Sequence, residues 1–172
     1  MALAGVNNVA TPILFEVTQV CGPCVDGAEF GREDAQLELE GGVPRLYILR
    51  LKGKELKFDR ITHHAQVTQC LGSADGRPWY MGVAPASLLS DAPGDDGRLP
   101  WAPPAISDVR VFKVEGPTFL KLNKGTWHAG PLFEDPQMDF YNLEHTDTNV
   151  TDHNTHVFSR EDGVQFVIDT AS

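Results

Sequence analysis

The chain has 172 residues, 41% of them hydrophobic, enough for one domain with an enclosed core and too apolar for a disordered protein. Twenty-four acidic residues against 14 basic ones leave a net charge of −10, which argues against nucleic acid or an anionic membrane as partner, because phosphate surfaces demand a basic face. A small anionic substrate stays compatible, since a few local cations override the overall field.

The first residues, Met1-Ala2-Leu3-Ala4-Gly5-Val6-Asn7-Asn8, lack a basic start and a sustained apolar stretch. No secretory signal is read, no run is long enough to span a bilayer, and a cytoplasmic location is expected. Three cysteines are too few for a disulfide framework. Cys21-Gly22-Pro23-Cys24 has the spacing of a redox pair, but glycine-rich sequence follows it. A helix N-terminus, which would lower a thiol pKa, is not expected there, so a turn carrying two thiols is the expectation. Residues 27–42 are polar and acidic, with at most a short helical turn over 32–39.

From there the apolar residues alternate. Leu46, Ile48 and Arg50 interleave with Tyr47, Leu49 and Leu51, and Leu56 and Phe58 with Glu55, Lys57 and Asp59. Cys70 falls in a strand-like run and reads as a small core residue. Trp79-Tyr80-Met81-Gly82-Val83-Ala84 is apolar and strand-length. Residues 87–104, rich in Pro, Gly and Asp, cannot form a ladder. Trp101 within them needs burial against the body of the protein, in a partner, or as a lid. Val109, Val111 and Lys113 oppose Arg110, Phe112 and Val114, and Leu120 and Leu122 oppose Lys121 and Asn123. Phe140-Tyr141-Asn142-Leu143, His156-Val157-Phe158 and Val164-Gln165-Phe166-Val167-Ile168 complete about ten short strands. This is the pattern of a sandwich, jelly roll or barrel, in one domain over residues 1–172.

Two segments carry chemistry. Leu56 and Phe58 read as inward, and Arg60, Thr62 and His64 continue that face. His64 then points inside and His63 out to solvent. Downstream, Lys124-Gly125-Thr126-Trp127-His128 brings a second histidine to a strand. Trp127 reads as wall packing whose indole N–H needs an acceptor, and Trp79 and Tyr80 as core or interface. Residues 144–156 hold Glu144, His145, Asp147, Asp152, His153 and His156. They form either a polar loop or a flap that completes a site.

These segments resemble known motifs. Thr62, His64, Gln69 and Gly76 stand at the spacing of the first cupin motif, with Thr62 in place of a histidine and Gln69 in place of the glutamate. Asn123-Lys124-Gly125-Thr126-Trp127-His128 resembles the second, with Asn123 in place of proline. The chain is more closely similar to the ureidoglycolate lyase family of cupins. The likeness lies in His64-Ala65-Gln66-Val67-Thr68-Gln69, Val109-Arg110-Val111-Phe112, the segment ending at His128 with Pro131-Leu132-Phe133 after it, and Asp139-Phe140. It covers about residues 11–145. It departs at Asn123, where that family usually has histidine, and at Ala129-Gly130, which adds one residue before Pro131.

The resemblance implies an all-β, cupin-type jelly-roll barrel (a double-stranded β-helix) with few or no helices, assembled as a homodimer. It implies cleavage of ureidoglycolate to glyoxylate and urea in purine and allantoin breakdown. His64 and His128 are the expected acid–base residues. Arg110, favoured for its bidentate guanidinium, or Lys121 or Lys124 would hold the substrate carboxylate, with Gln69 also at the substrate. A divalent metal on His64, Gln69 and His128 would polarise the hydroxyl. The alternatives are a non-catalytic cupin that binds a small carboxylate or a protein partner, and a cupin isomerase or other lyase.

Overall fold

Period-two patterning becomes strands, mainly over residues 44–84 and 110–168, in the computed structural model, which describes residues 2–6, 9–10, 18–31 and 34–170. The first strands are β1 (Ala2–Val6), β2 (Val9–Ala10), β3 (Thr18–Cys21), β4 (Pro44–Lys52) and β5 (Lys57–Phe58). Next come β6 (Arg60–His63), β7 (Gln69–Ser73), β8 (Trp79–Ala84), β9 (Arg110–Val114) and β10 (Phe119–Leu122). The last are β11 (Trp127–Leu132), β12 (Gln137–His145), β13 (Asn154–Val157) and β14 (Val164–Ile168). Helix is confined, among the described residues, to α1 (Thr148–Thr151), α2 (Phe158–Glu161) and a 3-10 turn at Ile106–Asp108. No helix among them is long and apolar enough to cross a membrane. The start of the family likeness, residues 11–17, lies outside the described residues.

The strands form three sheets. A five-stranded antiparallel sheet runs β3-β10-β7-β12-β4. A six-stranded sheet runs β13-β6-β11-β8-β9-β2, antiparallel except where β2 joins β9. A small third sheet runs β1-β14-β5. Trp79, Met81 and Val83 of β8 share one core with Leu71, Leu120, Leu122 and Phe140 of the five-stranded sheet. Tyr80 and Ala84, of opposite parity, share the other core with Phe58, Phe158, Val164 and Phe166. The six-stranded sheet is therefore covered on both faces, which is why β8 is apolar throughout. Each large apolar side chain so buried contributes about 1.5–3 kcal/mol before conformational entropy is charged against it.

Gly82 lies where the Phe58 ring crosses β8, and a Cβ there would come within 2.7 Å of that ring. Gly82→Ala is expected to destabilise the protein by about 1–3 kcal/mol through overpacking. Urea denaturation would show it as a lower midpoint with an unchanged slope; an unaltered midpoint would mean that the ring moves aside freely.

Three expectations change. Residues 34–39 are not helical, while Arg32 and Glu33 lie outside the described residues. Glu38 exchanges hydrogen bonds with Thr68 instead: its N–H donates to Thr68 Oγ1 at 2.9 Å and its carbonyl accepts from Thr68 N–H at 3.2 Å. Its peptide groups are thus held by a neighbouring segment, not by an i→i−4 ladder. Cys70 is half-buried on the outer face of its sheet, because Leu71 takes the inward position in β7. His63 is only 1% exposed. It does face away from His64, but that face is covered by Trp127 and Trp101, whose rings lie 4.3 and 5.8 Å from it. Trp101 is held there by a bridge to Leu88 within the 87–104 loop. Trp127 finds its acceptor in Ser87 Oγ, 2.8 Å away.

Candidate active site

Inside the gap between the five- and six-stranded sheets is a cavity of about 620 Å³. Thr62, His64 and His128 line one wall, and Tyr47, Gln69, Asn142 and Glu144 line the other. His64 follows the end of β6. His128 sits in β11 directly opposite Thr62, with Trp127 and Ala129 turned to the other core. The two motif segments are tied together by the backbone, because Gly125 N–H donates to the His64 carbonyl at 2.6 Å. Gly125 has φ 77°, which the turn requires and which side chains larger than hydrogen resist. A Cβ there would also press on Ala86 at 3.0 Å.

The imidazoles of His64 and His128 converge, with ring centroids 5.1 Å apart. Each is oriented by a carbonyl, which only accepts. His64 Nδ1–H donates to Asp152 O at 2.7 Å, and His128 Nδ1–H to Thr126 O at 3.2 Å. Both rings therefore carry a proton on Nδ1 and turn Nε2 away from these carbonyls. Burial, helped by the neighbouring His64, pushes the His128 pKa down to about 3, so it is uncharged at neutral pH.

The late acidic and histidine-rich segment divides by role. His153 brings a third imidazole, 5.8 Å from His64, and lines the cavity. Burial and His64 hold its pKa below the ordinary value. Glu144, 1% exposed, forms part of the far wall. Asp152 supports the site without facing it: its carboxylate accepts from Ala65 and Gln66 N–H, both at 2.8 Å, and so fixes the turn after His64. His145 donates from Nε2 to Leu39 O at 3.0 Å, and Asp147 is exposed ahead of α1. His156 is clasped by Glu161 at 3.0 Å and Asp162 at 2.6 Å.

Among the described residues no cation pairs with the Glu144 carboxylate, which is instead solvated by protein donors. Tyr47 Oη–H donates to it at 2.9 Å, Gln69 Nε2 at 3.2 Å and Asn149 Nδ2 at 3.3 Å. Asn142 completes the chain, donating to Tyr47 Oη at 2.9 Å and accepting from Gln69 Nε2 at 3.0 Å. Desolvation holds the Tyr47 pKa above its ordinary value, so the phenol remains a donor. The carboxylate fixes which way the Gln69 amide points, and Gln69 Oε1 is left buried without a donor. Tyr47, Asn142 and Asn149 were not singled out in the sequence. Asn142 and Glu144 share parity with core Phe140, and polar residues at core parity were the available signal.

The three expected carboxylate-binding cations do not line this cavity. Arg110 donates to the carbonyls of Ser107 and Val109. Lys121 stands opposite Cys70 on the outer side of the five-stranded sheet. Lys124 pairs with Glu38 at 3.0 Å. The cavity's cations are instead Lys54, Lys57 and Arg60. Lys57 pairs with Glu55, and Arg60 with Asp59 at 3.1 Å, whereas Lys54 has no ion-pair partner among the described residues.

For a metal ion, the bare Nε2 atoms of His64 and His128 are suitable donors. Gln69 would ligate through Oε1, which has no hydrogen-bond partner, while its Nε2 donates to Glu144 and Asn142. Among the described residues, no group of three or more His, Cys, Asp or Glu side chains is arranged to hold an ion. What the arrangement offers as it stands is proton transfer by paired imidazoles beside an acceptor-rich wall. No protein-family model matches this chain, and no curated protein matches it.

Proposed function

We propose that this chain is a cytoplasmic, cupin-type jelly-roll enzyme that cleaves ureidoglycolate to glyoxylate and urea in purine and allantoin breakdown. The observation that carries the reading is the pair of imidazoles, 5.1 Å apart, brought into one cavity from the two motif segments. The substrate carbon bears a hydroxyl, a carboxylate and a ureido nitrogen. In the reaction the hydroxyl proton leaves, the oxygen's electrons form the C=O bond, the C–N bond breaks, and the leaving nitrogen takes one proton. The atoms balance without a co-reactant. A bare Nε2 of His64 or His128 accepts the hydroxyl proton, and the imidazolium formed returns it to the leaving nitrogen. At His128 burial disfavours the charged ring and so favours that return.

Binding follows the polarity of the cavity. Lys54 is the available cation for the carboxylate, with Arg60 beside it. The Glu144–Gln69 wall is rich in acceptors and favours the N–H-bearing ureido end. Lys54→Met is expected to raise KM about tenfold with kcat changed less, since it removes binding common to ground and transition states. A kcat loss at unchanged KM would remove Lys54 from this role.

The deciding assay is urea release from ureidoglycolate, matched mole for mole by glyoxylate. Metal analysis of the same preparation tests whether a divalent ion joins His64, Gln69 and His128. A second reading, a non-catalytic cupin that binds a small carboxylate, is favoured by one observation: Gln69 is committed to Asn142 and Glu144 and not to the imidazoles. Carboxylate binding without urea release would establish it and end the lyase reading.

A further inference from the structure

The far wall of the cavity directs its hydrogens at itself and leaves acceptors over. Glu144 is 1% exposed, and its carboxylate takes the only Tyr47 Oη–H and a hydrogen of Asn149 Nδ2. Gln69 Nε2 donates to both Glu144 and Asn142, which uses its two hydrogens, while Gln69 Oε1 accepts from nothing. On the opposite wall His128, protonated on Nδ1 and uncharged at neutral pH, adds Nε2 as a further acceptor. Among the described residues no cation pairs with Glu144. A buried carboxylate without a counter-charge is costly, and a ligand cation that reaches it offsets that cost.

A ureido group meets this wall imperfectly. Its N–H bonds suit the acceptors, but its carbonyl oxygen is an acceptor too. Exchanging that C=O for C=NH2+ turns the mismatched atom into a donor and supplies the missing positive charge. We propose that this cavity is a binding site for guanidino carboxylates, and that it holds the guanidinium against Glu144 more tightly than the ureido group of the same skeleton. A planar guanidinium donates from every nitrogen and matches a carboxylate edge with parallel hydrogen bonds. The ligand's own carboxylate turns to Lys54, which lines the cavity and has no ion-pair partner among the described residues. The inference rests on the lyase reading for this head-to-tail pose, but it requires no cleavage.

The test is isothermal titration calorimetry of the full chain at neutral pH with guanidinoacetate and with hydantoate. The two differ only in C=NH2+ against C=O, and neither carries the hydroxyl needed for cleavage. Guanidinoacetate is expected to bind about tenfold tighter or more, the difference between charge-assisted and neutral hydrogen bonds. Glu144→Gln, which keeps the shape and removes the charge, should bring the two within about threefold. Asn149→Lys, at an exposed position beside Glu144, places an ammonium where the guanidinium would sit. It should weaken guanidinoacetate about tenfold and hydantoate far less. Thermal melts identify a variant that fails to fold, and the wild-type comparison decides without either. Hydantoate binding as tightly as guanidinoacetate overturns the proposal, as does no binding of either at about 10 mM, a limit beyond which even millimolar sites are filled. An undiminished preference in a folded variant also overturns it. Urea release without this preference would sink the guanidinium site and leave the lyase; the preference without urea release would do the reverse.

Discussion

His128→Ala is expected to lower ureidoglycolate turnover by about 10²–10⁴-fold, the usual contribution of a positioned acid–base group. The effect is large because no neighbour replaces it. His64 is held by Asp152 O, so its ring does not move to the His128 position without giving up that bond. Folding should survive, because the imidazole makes one modest 3.2 Å hydrogen bond to Thr126 O, two residues away. The substitution leaves Trp127 and Ala129 in their core. His128→Gln keeps a neutral polar side chain but supplies no comparable base, and should recover little. Stopped assays of urea and glyoxylate, with melts of each variant, check this. Wild-type turnover in His128→Ala would take the residue out of the chemistry.

The second large effect concerns His63 and acid. Its ring is buried against Trp127, both nitrogens lack partners, and burial followed by the nearby His64 pushes its pKa down to about 4. In the unfolded chain the ordinary value is about 6.5. The unfolded state therefore binds more protons between these values, and stability must fall as pH falls through the window from about 6.5 to about 4. Above it His63 is neutral in both states and contributes no slope. The loss attributable to this one ring is on the order of 3 kcal/mol at the lower end. His63→Leu, close in volume and unable to titrate, should remove that share. Its melting temperature should match or exceed the wild type at pH 8 and exceed it clearly at pH 4.5. Replacing an unsatisfied polar group by an apolar one of similar shape carries little penalty. Equal acid slopes for the two proteins would show that His63 is not the sensitive group.

Much of the strand content could be read along the chain, because side-chain direction in a strand alternates residue by residue. Leu120 and Leu122 point into the core and Lys121 away from it, as their alternation implied. Arg60, Thr62 and His64 share the cavity side, although Leu56 and Phe58, read as the same face, pack in the opposite core with Ile61; beyond Cys24 the chain turns at Asp26-Gly27, and among the described residues no helix follows there. His63 was misplaced for an instructive reason. Parity assigns a residue to a face but carries no knowledge of what covers that face, and here a distant loop brings Trp101 over it. The cations failed in the same way. Arg110 is the better carboxylate ligand by type, yet its guanidinium is taken up by nearby carbonyls, while Lys54 reaches the cavity mouth from the β4–β5 connection.

The sequence by itself determined a chain of alternating strands broken by Gly and Pro, and two histidine-bearing segments, since both depend on the order of neighbouring residues. Only the tertiary structure decided that His64 and His128 meet, that carbonyls of Asp152 and Thr126 set their tautomers, and that Tyr47, Gln69, Asn142 and Glu144 join into one wall. These are consequences of pairing between strands far apart in the chain. Such pairing is settled by the burial of whole faces at once, and no local spacing encodes it.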